Sequence, residues 1–130
     1  MSKRPLSVTV ISWIFIAVGG IALINSLLPL TDPSAAWRIA DHPYVFWLIP
    51  LIEILAIGSG VFMLYRFNWA RWLLVVWIGY HIILSVLHSA LQVIVHSLLF
   101  AVVLYFLFRP ETTTYFREKR SIADADPEDI

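Results

Sequence analysis

The run of residues between Arg71 and Arg109 limits most strictly what this chain can fold into. The 37 residues between the two arginines contain no Lys, Arg, Asp or Glu. As a single helix they would extend about 55 Å, whereas the hydrocarbon core of a bilayer is about 30 Å thick. The run is therefore either one overlong helix or two short spans that turn near residues 89–92. No Gly or Pro marks a turn there, so the choice rests on the distribution of charge.

The composition of the whole chain agrees with a membrane location for this run. Hydrophobic residues make up 60% of the 130 residues and charged residues 14%, against about 25% charged residues in a soluble domain. The expected partner is therefore the lipid bilayer, with self-association left open. The formal net charge is zero, which gives no reason to expect a nucleic-acid partner. The chain has no cysteine, so disulfide frameworks and thiolate metal sites are excluded.

The distribution of basic residues favours two crossings of the membrane by this run. With two crossings, eight of the nine basic residues lie on one side, and Arg38 alone lies on the other. Cytoplasmic loops are enriched in Lys and Arg, so that side is the cytoplasm and both termini are cytoplasmic. Residues 110–130 are predicted to be a polar, solvated tail that fixes this topology, with a partner-binding segment as the alternative. The sequence thus predicts an all-α, four-helix transmembrane bundle over residues 1–109, with spans at residues 6–28, 43–65, 71–89 and 92–108.

Prolines and small residues indicate how the predicted helices begin, end and pack. Pro5 and Pro43 suit the first turn of a helix, where the missing N–H costs nothing. Pro110 ends the fourth span, because the residue before a proline is driven out of helical geometry. The first span is too long for the apolar part of a signal peptide, which has about 7–15 residues. Ala56 and Gly60 have the small-xxx-small spacing that lets a neighbouring helix approach closely.

Three segments of the chain resemble a group of small bacterial membrane proteins with four spans. They read RPLSVTVISWIFI at residues 4–16, NWARWLLVVWIGYHIILSVLHS at 68–89 and YFLFRPETTTYFR at 105–117. The resemblance covers most of the chain except the first loop and the last residues. It implies the same architecture and a location in a bacterial inner membrane. It assigns no activity and no functional residues.

Two ionisable residues are predicted to lie near the middle of the membrane. At about 1.5 Å per residue, Glu53 is about 14 Å from the outer end of its span and His81 about 15 Å from the inner end of its own. An ionisable residue at such a depth costs about 2.5–3.5 kcal/mol, so the two are expected to face each other. The pair is interpreted as a proton-binding or ligand-anchoring site, as a buried pair that fixes helix register, or as a simply protonated Glu53.

A stripe of polar residues follows one face of the third span and predicts a second polar level. His81, Ser85, His88 and Gln92 recur at spacings of four, three and four, which is helical periodicity. A turn near Gln92 would place His88 level with His96 on the next helix. The predicted polar levels are therefore Glu53, His81 and Ser85 at the midplane, and Asn25, His88, Gln92 and His96 near the outer surface.

The position of these levels suggests a class of function. Nearer the cytoplasm the spans offer only hydroxyl groups, which predicts a pocket that opens outward and is closed beneath by apolar packing. The leading hypothesis is a non-enzymatic inner-membrane protein with a structural or accessory role, without a metal ion or a cofactor. The first alternative is a proton-coupled small-molecule transporter that uses Glu53 and His81. The second is a haem- or metal-binding protein that uses the histidines, with His42, Asp41 or Gln92 completing a metal site.

Overall fold

The computed structural model describes residues 3–35, 40–41 and 43–124, and over these residues the chain is mainly helical, with short turns between the helices and without a β-strand. Four helices are long and apolar enough to cross a membrane, as the all-α four-helix prediction requires. A fifth helix follows them. The helices are α1 (Leu6–Leu27), α2 (Pro43–Leu64), α3 (Asn68–Val86), α4 (Ala90–Leu107) and α5 (Pro110–Asp124).

The long uncharged run is two helices, as charge predicted, but its turn comes earlier than expected. Helix α3 begins at Asn68 and ends at Val86, and α4 begins at Ala90. The turn is therefore at residues 87–89, which overlaps the predicted region of residues 89–92 only at Ser89. It is made without Gly or Pro because Ser89 is the N-cap of α4, where its Oγ accepts a hydrogen bond from the Gln92 backbone N–H at 3.3 Å. A serine in this position satisfies one of the free N–H groups at the start of a helix.

The closest contact in the bundle is between α1 and α2. A Cβ atom on Gly60 would lie 2.8 Å from the Ser12 carbonyl oxygen, and one on Gly19 would lie 2.9 Å from Ile57 Cγ1. Ala56 is fully buried against the same seam. The predicted role of Ala56 and Gly60 is confirmed, since only small residues allow two helix backbones to approach this closely.

The helices follow one another around the bundle in chain order. Helix α2 also packs against α3, and α3 packs against α4. Helices α4 and α1 close the ring with a much less extensive contact. The weak seam between α1 and α4 therefore leaves a groove on the outside of the bundle.

Helix α5 corrects the prediction of a solvated tail. Thr112, Tyr115 and Phe116 share one face of α5, and all three are buried. The rings of Tyr115 and Phe116 join the same apolar core as Val8, Met63 and Leu107. The prediction of a solvated tail is therefore wrong for α5. Its apolar stripe at helical spacing packs against the bundle, and this burial offsets the entropy lost when the segment becomes ordered. Residues 125–130 lie outside the described residues.

Long-range polar contacts hold α5 against the bundle. The Tyr115 hydroxyl donates to the Leu64 carbonyl oxygen at 3.2 Å and accepts from Arg4 Nε at 3.2 Å. Arg66 Nη1 lies 3.2 Å from Glu118 Oε2, and the Arg66 guanidinium carbon lies 4.4 Å from the centroid of the Tyr115 ring. These residues, with Arg71 and Arg109, define what we call the basic end of the bundle.

Arg66 and Arg71 are fixed differently within the basic end. Arg66 has a positive φ of 64°, because α2 ends in a left-handed turn in which the Phe67 N–H bonds the Phe62 carbonyl at 3.0 Å. Arg71 is only 8% exposed. Its guanidinium carbon lies 4.8 Å from the centroid of the Phe108 ring, and its Nη1 lies 3.5 Å from Thr113 Oγ1. Both arginines thus hold segments that are far apart in the sequence.

Candidate ligand-binding pocket

A pocket of about 210 Å³ lies between α3 and α4, on the side of the bundle away from the basic end. Exposure increases from its floor to its mouth. Ser85 is 4% exposed, His81 and His96 are half-buried, and His88 and Gln92 are exposed beside the α3–α4 turn. The lining residues are His81, Leu84, Ser85, His88, Gln92 and His96.

Each of the three histidines bonds the backbone carbonyl four residues before it. The Nδ1 atoms lie 3.0 Å from Trp77 O for His81, 2.9 Å from Leu84 O for His88, and 2.8 Å from Gln92 O for His96. A carbonyl oxygen only accepts hydrogen bonds, so each Nδ1 carries a proton. In the neutral ring, Nε2 is then the nitrogen with a lone pair. The pocket therefore brings together three imidazoles whose Nε2 atoms can accept.

Ser85 joins two of these histidines across the helices. Its Oγ donates to the His81 carbonyl oxygen at 2.7 Å and lies 3.1 Å from His96 Nδ1. Since the one hydroxyl proton goes to the carbonyl, Ser85 Oγ accepts from His96 at the second contact. An activated serine needs the opposite arrangement, with the histidine accepting the hydroxyl proton. The contact therefore links α3 to α4 and does not make Ser85 a nucleophile.

The earlier turn changes which residues face each other, and the prediction of two separate polar levels is wrong. The rings of His81 and His96 have centroids 6.3 Å apart and planes within 22° of each other. With the turn at residues 87–89, His96 lies opposite Ser85 and His81, about one helical turn deeper than His88. The midplane residues on α3 and the outer residues on α4 therefore form one continuous site.

Asn25 is the member of the predicted outer cluster that the fold does not bring to the pocket. It lies on α1 with an exposed side chain, whereas the pocket is formed by α3 and α4. Helix α1 packs mainly against α2. Hydropathy and charge give the depth of Asn25 in the membrane. They do not give the direction in which it faces around the bundle, and it is in this direction that the prediction was wrong.

Trp77 packs against His81 on the side of the pocket that faces the basic end. Its ring lies 3.9 Å from the His81 ring, centroid to centroid, with the planes inclined at 33°. Its Nε1 donates to the Ile52 carbonyl oxygen at 3.0 Å, and Phe15 meets it edge to face at 5.5 Å. Deeper still, Leu74 belongs to the buried apolar core. The sequence interpretation overlooked Trp77, although its position four residues before His81 places it on the same helical face.

Glu53 lies behind the pocket on α2. The residue is 8% exposed, and its Oε2 is buried without a hydrogen-bond partner in the described part of the chain. His81 is close enough to act on the carboxyl group electrostatically, but no hydrogen bond joins the two side chains. The two residues of the predicted face-to-face pair are therefore close in space but not hydrogen-bonded to each other.

The described residues of the pocket do not form a preformed metal centre. Among the residues that the structure describes, no group of three His, Asp or Glu side chains is arranged to hold a metal ion. Asp41 does not line the pocket, and His42 lies outside the described residues. The Nε2 atoms remain available to other partners.

The outer surface of the bundle defines the class of protein. Large apolar side chains stand exposed along all four long helices, in a manner that a water-soluble monomer would not tolerate but a lipid environment satisfies. The chain is a multi-pass, all-α integral membrane protein. Comparison with protein-family models, with curated proteins and with solved structures found no match.

Proposed function

We propose that this chain is a non-enzymatic accessory protein of a bacterial inner membrane that binds a small cation in the pocket between α3 and α4. The cation would be one that donates hydrogen bonds, such as ammonium or a protonated primary amine. The observation that carries the proposal is the common orientation of His81, His88 and His96. In each ring Nδ1–H donates to a backbone carbonyl of the same helix, so Nε2 is the nitrogen that can accept a hydrogen bond.

Charge supports a cation over a neutral ligand. Glu53 lies within electrostatic range of His81 and has a buried carboxylate oxygen without a hydrogen-bond partner among the described residues. A positive charge in the pocket would compensate an ionised Glu53, and neutral imidazoles would accept its N–H protons. Arg66 and Arg71, whose side chains are largely buried, lie at the other end of the bundle.

Binding is favoured over transport because the pocket is blind. The Trp77 ring packs against His81 on the inner side of the pocket, Phe15 packs against Trp77, and the apolar core that includes Leu74 continues from there. A transported solute needs access from both sides of the membrane. The charge distribution of the sequence supports cytoplasmic termini, and the pocket, at the end opposite the basic residues, would then open to the periplasm.

The test is calorimetric titration of the purified chain in detergent with methylammonium and, separately, with tetramethylammonium. Both ions carry one positive charge, but tetramethylammonium has no N–H to donate. We expect saturable binding of methylammonium alone, lost in His96→Phe and kept in Val95→Ala, which changes an exposed residue of the same helix outside the pocket. Equal binding of both ions, or unchanged binding in His96→Phe, would contradict the proposal. A Soret band or stoichiometric metal in the purified protein would favour the haem- or metal-binding alternative.

Proton-coupled transport is the second candidate, and the buried, unpartnered Oε2 of Glu53 is the observation that favours it. A carboxyl group in this state is suited to binding and releasing a proton near the middle of the membrane. The chain in proteoliposomes would then take up methylammonium in response to a pH gradient, and Glu53→Gln would abolish uptake while leaving the fold intact. Uptake that is absent, or identical in Glu53→Gln, excludes this candidate.

A further inference from the structure

The groove between α1 and α4 is a second concave feature, separate from the histidine pocket. It has a volume of about 470 Å³ and lies where two helices of the bundle contact each other least. Its α1 wall runs from Leu6 to Phe15, and its α4 wall consists of apolar residues such as Val102 and Phe106. The α1 wall is about 14 Å long at 1.5 Å per residue, which is about the depth of one leaflet of a bilayer.

The groove ends among basic residues. Arg109 and Glu111 line its end at the basic end of the bundle. A shallow depression of about 570 Å³ adjoins it there, sharing Pro5 and Glu111, and brings in Lys3 and Arg4. Three cationic side chains therefore surround the opening against one carboxylate. The pair between Arg109 and Glu111 has an N–O distance of 3.9 Å, too long to neutralise either group firmly.

We propose that this groove binds one anionic phospholipid of the leaflet at the basic end, with an acyl chain along α1 and α4 and the phosphate among Lys3, Arg4 and Arg109. The apolar wall has the length of one leaflet, and the polar opening has the charge that an anionic headgroup requires. Arginine and lysine beside a membrane surface attract anionic lipid, and guanidinium groups match the geometry of phosphate oxygens. The proposal is independent of any ligand in the histidine pocket.

The charge at the opening is tested by comparing two lipids with identical acyl chains. The full chain in detergent is titrated with phosphatidylglycerol or with phosphatidylcholine, and retained lipid is counted by native mass spectrometry. We expect one phosphatidylglycerol to be retained preferentially. Arg109→Gln should weaken its binding about fivefold and Lys3→Gln should weaken it by a similar factor, while the weaker retention of phosphatidylcholine stays the same. Equal retention of both lipids by the unaltered chain would overturn the proposal.

The groove itself is tested by filling it. Val102 lines the groove and is 52% exposed, so Val102→Trp obstructs the acyl chain without entering the core. Val95→Trp is the matched control, because Val95 lies on the same helix, is 54% exposed and does not line the groove. We expect Val102→Trp alone to abolish retention of phosphatidylglycerol, with the thermal unfolding of both variants unchanged. Equal retention in the two variants would overturn the proposal. So would a dimer of the unaltered chain that holds no lipid and is dissociated by Val102→Trp.

Discussion

The basic end and the histidine pocket both place polar side chains within an apolar bundle, but they use them differently. At the basic end, hydrogen bonds join segments far apart in the chain, as from Arg4 to Tyr115 and from Arg66 to Glu118. In the pocket, each histidine bonds a carbonyl of its own helix, four residues back. The first arrangement joins distant segments, whereas the second orients each ring on its own helix, with the Ser85–His96 contact as the hydrogen bond between α3 and α4 in the pocket. The pocket is therefore the region where a substitution should change the fold least.

The comparison predicts its largest effect for Tyr115→Ala. The ring is 1% exposed and its hydroxyl connects Arg4 to the Leu64 carbonyl. Removing a buried aromatic ring of this kind costs about 3–5 kcal/mol, and we expect the free energy of unfolding in detergent to fall by that amount. Thr114→Ala, an exposed neighbour on α5, is the control and should change it by less than about 0.5 kcal/mol. Similar losses in the two variants would mean that α5 does not dock through Tyr115.

Helix α5 also marks where composition misled the sequence interpretation. Residues 110–130 are polar on average, and averaging concealed Thr112, Tyr115 and Phe116, which are spaced to share one face of a helix. That spacing was the signal available for predicting a docked helix. The four spans, by contrast, were predictable because hydropathy, proline positions and basic residues all gave the same boundaries within a few residues.

The site was predictable in its residues and not in its register. Spacing on α3 placed His81, Ser85 and His88 on one face. The partner of His96 depends on where the turn lies, and a serine N-cap at Ser89 is a weaker signal than Gly or Pro. Because the turn lies about three residues earlier than predicted, His96 faces His81 and not His88. The direction of Asn25 around the bundle depends on which helices are neighbours, and depth along a span does not contain that information.

The second prediction concerns the α1–α2 seam, which is long-range like the basic end and should be equally intolerant of change. A Cβ at Gly60 would lie 2.8 Å from the Ser12 backbone oxygen, whereas at Gly58 it would meet nothing within 4 Å. We expect Gly60→Ala to lower the free energy of unfolding by about 1–3 kcal/mol because the helices must separate. Gly58→Ala should raise it by up to about 1 kcal/mol through helix propensity. Equal changes in the free energy of unfolding of both variants, measured by denaturant titration, would show that α1 and α2 do not approach closely at Gly60.

A smaller effect on the free energy of unfolding is expected for Glu53 on α2 and His81 on α3, which are neighbours on different helices. The two groups lie close enough to influence each other electrostatically but share no hydrogen bond, so we expect a coupling that is small. A double-mutant cycle with Glu53→Gln and His81→Ala should give a coupling energy of about 1 kcal/mol in thermal or chemical unfolding. The same cycle with Glu53→Gln and His88→Ala is the control and should be additive. Additive losses of unfolding free energy in the first cycle would mean that His81 and the Glu53 carboxyl group do not interact.

The smallest expected effect on stability is that of His88→Ala, and it separates the two regions most sharply. The side chain is exposed at the mouth of the pocket, and its one hydrogen bond is to its own helix at Leu84. The free energy of unfolding should therefore change by less than about 0.5 kcal/mol. Methylammonium binding should nevertheless weaken, because one of three acceptors is lost from the pocket. His88→Gln, which keeps a side chain able to accept a hydrogen bond, should recover part of that binding. A large loss of stability in His88→Ala would place the histidine among the groups that hold the fold together, as at the basic end.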